Sequence, residues 1–165
     1  MIVVSNATPL ITLAAVGQFD LLCRLFTELT ISEAVWREVV VQGAGRFGAL
    51  ETSEANWIQV VPVTDSVRLS AWESAYNLGA GELSSILLAK ELSATLVLMD
   101  ERKARRLAAR EGLVMTGSIA LLESGYRMKY VTDLRQVYSR LLAVNFRVAR
   151  NMLNRSLAKF ELPPL

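Results

Sequence analysis

The chain has 165 residues, with 18 Lys and Arg, 16 Asp and Glu, no histidine and a formal net charge of +2. Its single cysteine, Cys23, excludes an internal disulfide, and the absence of histidine excludes Ser-His-Asp nucleophile systems and zinc sites built on histidine. An enzyme of this composition must use carboxylates, lysines, hydroxyls or a metal held by oxygen ligands.

Three apolar runs with β-branched residues predict buried strands in the first part of the chain, at Ile2–Ser5, Leu29–Ile31 and Ile58–Val63. Thr8 stands directly before Pro9 and predicts the N-cap of the first helix, because proline is favoured at the first helical position. The expected helices of this part are one from Thr8 to Gly17, Phe19–Phe26, one capped by Ser32, Ala49–Asn56 and Ser66–Asn77.

The second part of the chain continues the alternation. The glycines at Gly79 and Gly81 interrupt the pattern, and we expect the next helix to begin at Glu82. Apolar runs at Thr95–Met99 and Leu113–Met115 predict a fourth and a fifth strand. The remaining expected helices are Glu82–Leu92, Glu101–Glu111, one from Ser118, about Val131–Val144 and about Phe146–Phe160.

Strands that alternate with helices predict an α/β fold with a mostly parallel sheet and helices on both faces. We expect one domain over residues 1–165, with a helical C-terminal extension from about residue 130 to residue 165. No apolar stretch approaches the ~18–20 residues needed to span a bilayer, and no basic region precedes the N-terminal apolar run. The expectation is therefore a cytoplasmic protein without a membrane segment.

The C-terminal part of the chain is basic. Residues 127–159 contain eight Lys and Arg against one acid, Asp133, so this segment has a net charge of +7. A basic segment on a mildly acidic body indicates a polyanionic partner. A solvated helix face is the structural alternative.

Polar residues stand where the predicted strands end or where the following helices begin. They are Asn6, Glu38, Glu82, Asp100 and Glu101. Each has a structural explanation as a turn, a helix cap or an acid at a helix N-terminus. If they converge at one rim of the sheet, they need a cation to stay ionised together, and an all-oxygen site favours Mg²⁺ or Mn²⁺. Two such ions about 4 Å apart can activate water and stabilise phosphodiester cleavage.

The sequence resembles the PIN domains, in a bacterial and archaeal branch related to VapC toxins. VVSNATPLITLA resembles the opening motif of that branch, in which Ser-Asp precedes a Pro-Leu-Ile segment. GAGELSSILLAKEL resembles its Gly-x-[Gly/Ala]-Glu motif, and LVLMDERKARRLAAREGL resembles its strand-Asp-[Asp/Glu] motif. ISEAVWREVV and VMTGSIALL are similar to its second-strand and fifth-strand segments, so the likeness covers nearly the whole chain in the right order.

The resemblance implies a three-layer α/β/α sandwich with about five parallel strands and the activity of a Mg²⁺- or Mn²⁺-dependent endoribonuclease. The positions that match the catalytic and metal-binding residues are Asn6, Glu38, Glu82 and Asp100, with Glu101 as an auxiliary ligand. Substrate contacts are expected from Ser5, Arg102, Lys103, Arg106, Thr116 and Ser118. The resemblance also implies RNA as substrate, the role of toxin in a toxin–antitoxin pair, a cognate antitoxin and a homodimer.

The chain departs from that family at Asn6, where the family has an aspartate. An amide oxygen still coordinates a metal, but it brings no charge and cannot act as a base. Three interpretations stay open: a natural variant that has lost hydrolysis and kept binding, a deliberate inactivating change, and a weakened but working metal site. The alternative function is therefore a catalytically inactive module that binds nucleic acid or an antitoxin. A nucleotide-binding sensor is less well supported, because no glycine motif follows the first strand.

Overall fold

A computed structural model describes residues 1–165, and its five parallel strands lie in the order β3-β2-β1-β4-β5. The strands are β1 (Val3–Ser5), β2 (Leu29–Ser32), β3 (Ile58–Val61), β4 (Leu96–Leu98) and β5 (Met115–Thr116). The first five helices are α1 (Ala7–Ala15), α2 (Leu21–Phe26), α3 (Glu33–Trp36), α4 (Ala49–Glu54) and α5 (Ser66–Ala75). The others are α6 (Ala80–Glu91), α7 (Arg102–Arg110), α8 (Ser118–Arg127), α9 (Leu134–Ala143) and α10 (Arg150–Ala158).

The predicted α/β class with a parallel sheet is confirmed, and the apolar side chains of alternate strand residues explain its three layers. Val3 and Leu98 face a larger apolar cluster formed with helices α1, α2, α8, α9 and α10. Val4 and Val97 face a smaller cluster formed with α5, α6 and α7. Because both faces of the sheet are covered, its strands are continuous apolar runs, as parallel sheets require.

Helices α2, α7, α9 and α10 begin one to four residues later than predicted, and two further differences in helix starts concern the candidate site. Helix α1 begins at Ala7, one residue before the predicted cap Thr8, because Asn6 already has the extended backbone of an N-cap residue. Helix α6 begins at Ala80, with Gly79 as its cap, so Gly81 lies in the first helical turn rather than in a break. Gly81 has no Cβ atom, and a Cβ at this position would come too close to the Glu38 carboxylate.

Helix α3 starts as predicted, since the Ser32 hydroxyl accepts a hydrogen bond from the Val35 amide at 3.1 Å. The helix then widens into a π-helical segment at Arg37–Gln42, which contains Glu38. Such wide turns are rare and often lie at functional sites. None of the helices is long and apolar enough to cross a membrane.

The strand order places the ends of β1 and β4 side by side. Ser5 pairs with Leu98 in the sheet, and the Asn6 amide donates to the Leu98 carbonyl at 2.9 Å. The chain runs from β1 to β2 and β3 on one side, and then returns to β4 and β5 on the other. Ligands of open α/β sheets bind at this reversal, beyond the carboxyl ends of the strands. Asn6 and Asp100 both follow strands that end there.

Candidate functional site

Asn6 and Glu38 meet beside Gly81. A Cβ atom placed on Gly81 would lie 2.6 Å from the Glu38 Oε2 atom and 3.6 Å from the Asn6 Oδ1 atom. Asn6 is 2% exposed, and its Oδ1 atom has no hydrogen-bond donor. Its side chain does not cap helix α1, so the structural role of a turn or cap residue does not explain it. A buried acceptor without a donor is costly, which makes this oxygen a candidate ligand.

Glu82 lies near Glu38 at the start of helix α6. Partial burial and then the negative charge of Glu82 raise the pKa of the Glu38 carboxyl above its ordinary value. The Glu82 Oε2 atom accepts a hydrogen bond from the Gly79 amide at 2.7 Å, which fixes the side chain at the helix N-terminus. Two carboxylates that repel one another beside an unpartnered amide oxygen form a place where a cation is favoured.

Asp100 is held by the turn that follows β5. Its Oδ1 and Oδ2 atoms accept hydrogen bonds from the Ser118 amide at 2.7 Å and from the Ser118 hydroxyl at 2.5 Å. A Cβ atom on Gly117 would lie 2.8 Å from Asp100 Oδ1 and 3.1 Å from a guanidinium nitrogen of Arg105. That guanidinium donates to the Met99 carbonyl at 2.9 Å. The carboxylate therefore has a fixed position next to a positive charge.

A groove of about 1300 Å³ connects the acids with a basic surface. Glu82, Asp100 and Glu101 line it at the carboxyl ends of the strands. The walls come from helices α7, α8 and α10 and from the residues between α9 and α10. Their basic members are Arg102, Arg105, Arg106, Arg147, Arg155 and Lys159. The groove thus combines carboxylates with a lining that suits phosphate groups.

The predicted substrate contacts fall into two groups. Arg102 and Arg106 line the groove, whereas Lys103 is exposed on α7 and is not part of the lining. Ser5 is buried, and its hydroxyl donates to the Asn6 carbonyl at 2.9 Å, so it has no access to a substrate. Ser118 is buried and binds Asp100, which means that it orients a carboxylate rather than a phosphate. Thr116 is partly buried at the end of β5 and does not line the groove.

Several groove residues were not among the predicted site residues. Arg105 holds the Met99 carbonyl, and Arg147 and Arg155 come from the basic C-terminal segment. Glu123 belongs to the helix predicted from Ser118, and in the structure it is buried in the groove wall, where it accepts a hydrogen bond from the Ser156 hydroxyl. The charge asymmetry of residues 127–159 pointed to a basic surface, but no local pattern marks Glu123.

The predicted ligands are joined in pairs. Asn6 and Glu38 both lie against Gly81, and the charge of Glu82 raises the pKa of Glu38. Glu82 and Asp100 line the same groove. No three acidic or cysteine side chains lie close enough together to form a complete metal cluster. The residues present fit a divalent cation, because the unpartnered Asn6 oxygen and the Glu38 carboxylate are hard oxygen donors facing the same small space.

A protein-family model described as a PIN domain matches residues 2–162, which is nearly the whole chain. No curated protein matches it.

Proposed function

We propose that this chain, which belongs to the PIN-domain family, is a metal-dependent endoribonuclease. PIN domains are generally nucleases, and they typically use divalent metal ions. One observation carries the proposal: the buried Oδ1 atom of Asn6 has no donor and lies beside the Glu38 carboxylate, at the carboxyl ends of β1 and β4. Because the Asn6 Oδ1 atom accepts no hydrogen bond, its lone pairs are free to bind a hard cation.

Asn6, Glu38 and Glu82 are the residues that would hold the ion, with Asp100 and Glu101 at the adjoining end of the groove. When bound, a divalent ion activates water and stabilises the charge that develops in phosphodiester cleavage. Ser118 keeps the Asp100 carboxylate in one orientation through two hydrogen bonds. Asn6 cannot take up a proton, so we propose one of the neighbouring carboxylates as the base.

The basic walls of the groove support RNA as the substrate. Arg102 and Arg106 come from helix α7, and Arg147 and Arg155 come from the opposite wall. Guanidinium groups bind phosphate oxygens through paired donors, and such contacts position a strand without reading its sequence. We propose that these four arginines hold the RNA backbone while the scissile phosphate lies next to the acids.

Asn6 itself favours a second candidate function. Because the amide adds no charge, the site has one negative charge fewer than the aspartate of the family would give it. A weaker cation site would leave a protein that binds nucleic acid or an antitoxin and does not cut. In that case the groove keeps its binding role and loses its hydrolytic role.

Cleavage of a fluorescent single-stranded RNA in Mn²⁺ distinguishes the two candidates. We expect the chain as given to cut slowly, Asn6→Asp to cut about 10²-fold faster and Glu38→Gln to be inactive. EDTA should abolish all cleavage. Activity in Asn6→Asp alone would favour the binding module. If neither protein cuts although both fold and bind Mn²⁺, the proposed nuclease activity is wrong.

We further propose that the protein is the toxin of a toxin–antitoxin pair and forms a homodimer. The motifs related to VapC toxins support this, and so do three apolar side chains that are more than half exposed, Val41, Phe47 and Leu50 at 59%, 53% and 64%. Helix α4, which carries Leu50, packs against the π-helical segment that carries Val41, and exposed apolar residues on neighbouring elements are typical of surfaces that another protein covers. Growth arrest on induction of Asn6→Asp but not of Glu38→Gln would support the toxin role, and a monomer in sedimentation equilibrium would contradict the homodimer.

A further inference from the structure

Glu123 is a buried acid on helix α8, with 6% of its surface exposed. Its Oε1 atom accepts hydrogen bonds from the Ser156 hydroxyl at 2.6 Å and from the Lys159 ammonium at 3.0 Å. Its Oε2 atom lies 3.3 Å from the same ammonium and 3.9 Å from the Arg127 guanidinium. Ser156 lies in helix α10, and Lys159 is the first residue after that helix. The Glu123 carboxylate therefore joins α10 to α8.

The network continues to helix α9 through Tyr138. The Tyr138 and Ser156 hydroxyls are 2.6 Å apart. Ser156 has one proton and gives it to Glu123, so Tyr138 must be the donor of this bond. Burial, and to a lesser degree the charge of Glu123, raise the pKa of Tyr138 to about 12 although the Ser156 bond lowers it, so the tyrosine stays protonated and able to donate. Three helices are thus locked by one chain of hydrogen bonds.

The same residues face the groove. Glu123, Ser156 and Lys159 line it, together with Arg155 and Met152 of the C-terminal helix. We propose that Glu123 is a positioning residue that holds α10 as one wall of the groove and so sets its affinity for a nucleic-acid backbone. This inference rests on the proposed function, because it takes the groove to be the RNA-binding surface.

The direction in which Glu123→Gln changes RNA affinity distinguishes a positioning role from a simple effect of charge. Glu123 is negative and lies among the basic residues of the C-terminal wall, Arg155 and Lys159, so its charge alone opposes the binding of RNA there. Removing that charge in Glu123→Gln would therefore tighten RNA binding if Glu123 had no other role. If Glu123 positions α10, the same substitution weakens binding, because the neutral amide has one acceptor oxygen instead of two and no charge to hold the Lys159 ammonium.

The experiment measures the affinity for a labelled single-stranded RNA by fluorescence anisotropy in EDTA, where no metal-dependent cleavage interferes. The matched control is Glu111→Gln. Glu111 also pairs with a lysine, Lys90, and lies 3.7 Å from Arg68, but it is not part of the groove lining. We expect Glu123→Gln to weaken RNA binding about tenfold and Glu111→Gln to leave it unchanged within about twofold. Unchanged or tighter binding by Glu123→Gln would overturn the proposal.

Hydrogen exchange of the amides in α10 gives a second measurement on the same proteins. Glu123→Gln and Ser156→Ala should both speed exchange in α10, and Glu111→Gln should not. Equal protection of α10 in all proteins would overturn the positioning role whatever the RNA result. Binding without cleavage by the chain as given would count against the nuclease only, whereas no binding by it at all would overturn the RNA groove and this inference together.

Discussion

Ser118 binds both carboxylate oxygens of Asp100, through its amide at 2.7 Å and its hydroxyl at 2.5 Å. The two residues are 18 positions apart and come from the ends of neighbouring strands, β4 and β5. Two bonds to one carboxylate fix its plane and its direction. Ser118 therefore sets the orientation of the Asp100 carboxylate, as hydrogen-bond partners of metal ligands do in other proteins.

Ser118→Ala tests this relationship. The substitution removes the hydroxyl bond and keeps the amide bond, so we expect the fold to survive and the rate of RNA cleavage to fall about 10–100-fold in Asn6→Asp protein. The control is Ser53→Ala, because Ser53 is exposed and donates only to the Leu50 carbonyl. A cleavage rate equal to that of the control would show that the orientation of Asp100 does not matter.

Gly81→Ala tests the space between Asn6 and Glu38. The new Cβ would lie 2.6 Å from Glu38 Oε2, which is the end of a flexible side chain and can rotate away. An alanine within a helix is also favoured over glycine by ~1 kcal/mol. We therefore expect an unchanged or higher melting temperature, together with an affinity for Mn²⁺ that is at least about tenfold weaker. Calorimetric titration and a thermal scan check both parts, and an intact Mn²⁺ affinity would place the ion elsewhere.

Asn6→Asp should make the fold depend on metal. Asn6 is 2% exposed, so an aspartate there adds a buried charge near Glu38 and the melting temperature should fall without metal. With Mn²⁺ at 100 times its dissociation constant, binding stabilises the native state by about 2.7 kcal/mol, and the melting temperature should recover. Differential scanning calorimetry with and without Mn²⁺ measures the change. If Mn²⁺ changes the melting temperature of neither the unchanged protein nor Asn6→Asp, a cation does not bind at Asn6.

Glu91 gives a pH dependence outside the site. Burial alone would raise its pKa, but hydrogen bonds from the Asp65 and Thr64 amides lower it below the ordinary 4.5. The folded protein then holds this proton more weakly than the unfolded chain, so the stabilisation is complete above about pH 4.5 and is lost as the pH falls through the folded pKa. Glu91→Ala should melt about 1–3 °C lower at pH 7, and this difference should be smaller at pH 3.

Glu73→Ala is the matched control for that measurement, because Glu73 is exposed on α5 and has no hydrogen bond. Its melting temperature should follow that of the unchanged protein at both pH values. A difference in melting temperature between Glu91→Ala and the control that is as large at pH 3 as at pH 7 would show that the side chain stabilises the loop by packing rather than by its charge.

Local patterns predicted the elements well where one residue decides the structure. The Ser32 cap follows from the sequence, because a serine before an apolar helix has few other roles. The π-helical widening at Arg37–Gln42 could not be predicted, since its residues have no pattern distinct from an α-helix. Thr8 was a reasonable cap next to Pro9, but the end of β1 already sets Asn6 in the extended conformation that a cap needs.

The sequence predicts only those site residues that directly follow the strands. Asn6 and Asp100 could be placed at one edge because parallel strands end there together. The Asn6 Oδ1 atom has no hydrogen-bond donor, and the Ser118 hydroxyl donates to Asp100. Both facts depend on packing across the sheet, which the sequence does not show. Glu123 looks like any acid within a helix, and its role comes from α10, 33 residues further along the chain at Ser156.

The acids of the site and the C-terminal wall of the groove are made at different times during synthesis. Asn6, Glu38, Glu82 and Asp100 leave the ribosome well before residues 150–159, which close the groove on its far side. A chain still being translated thus has its acids but no complete cleft in which to hold a strand.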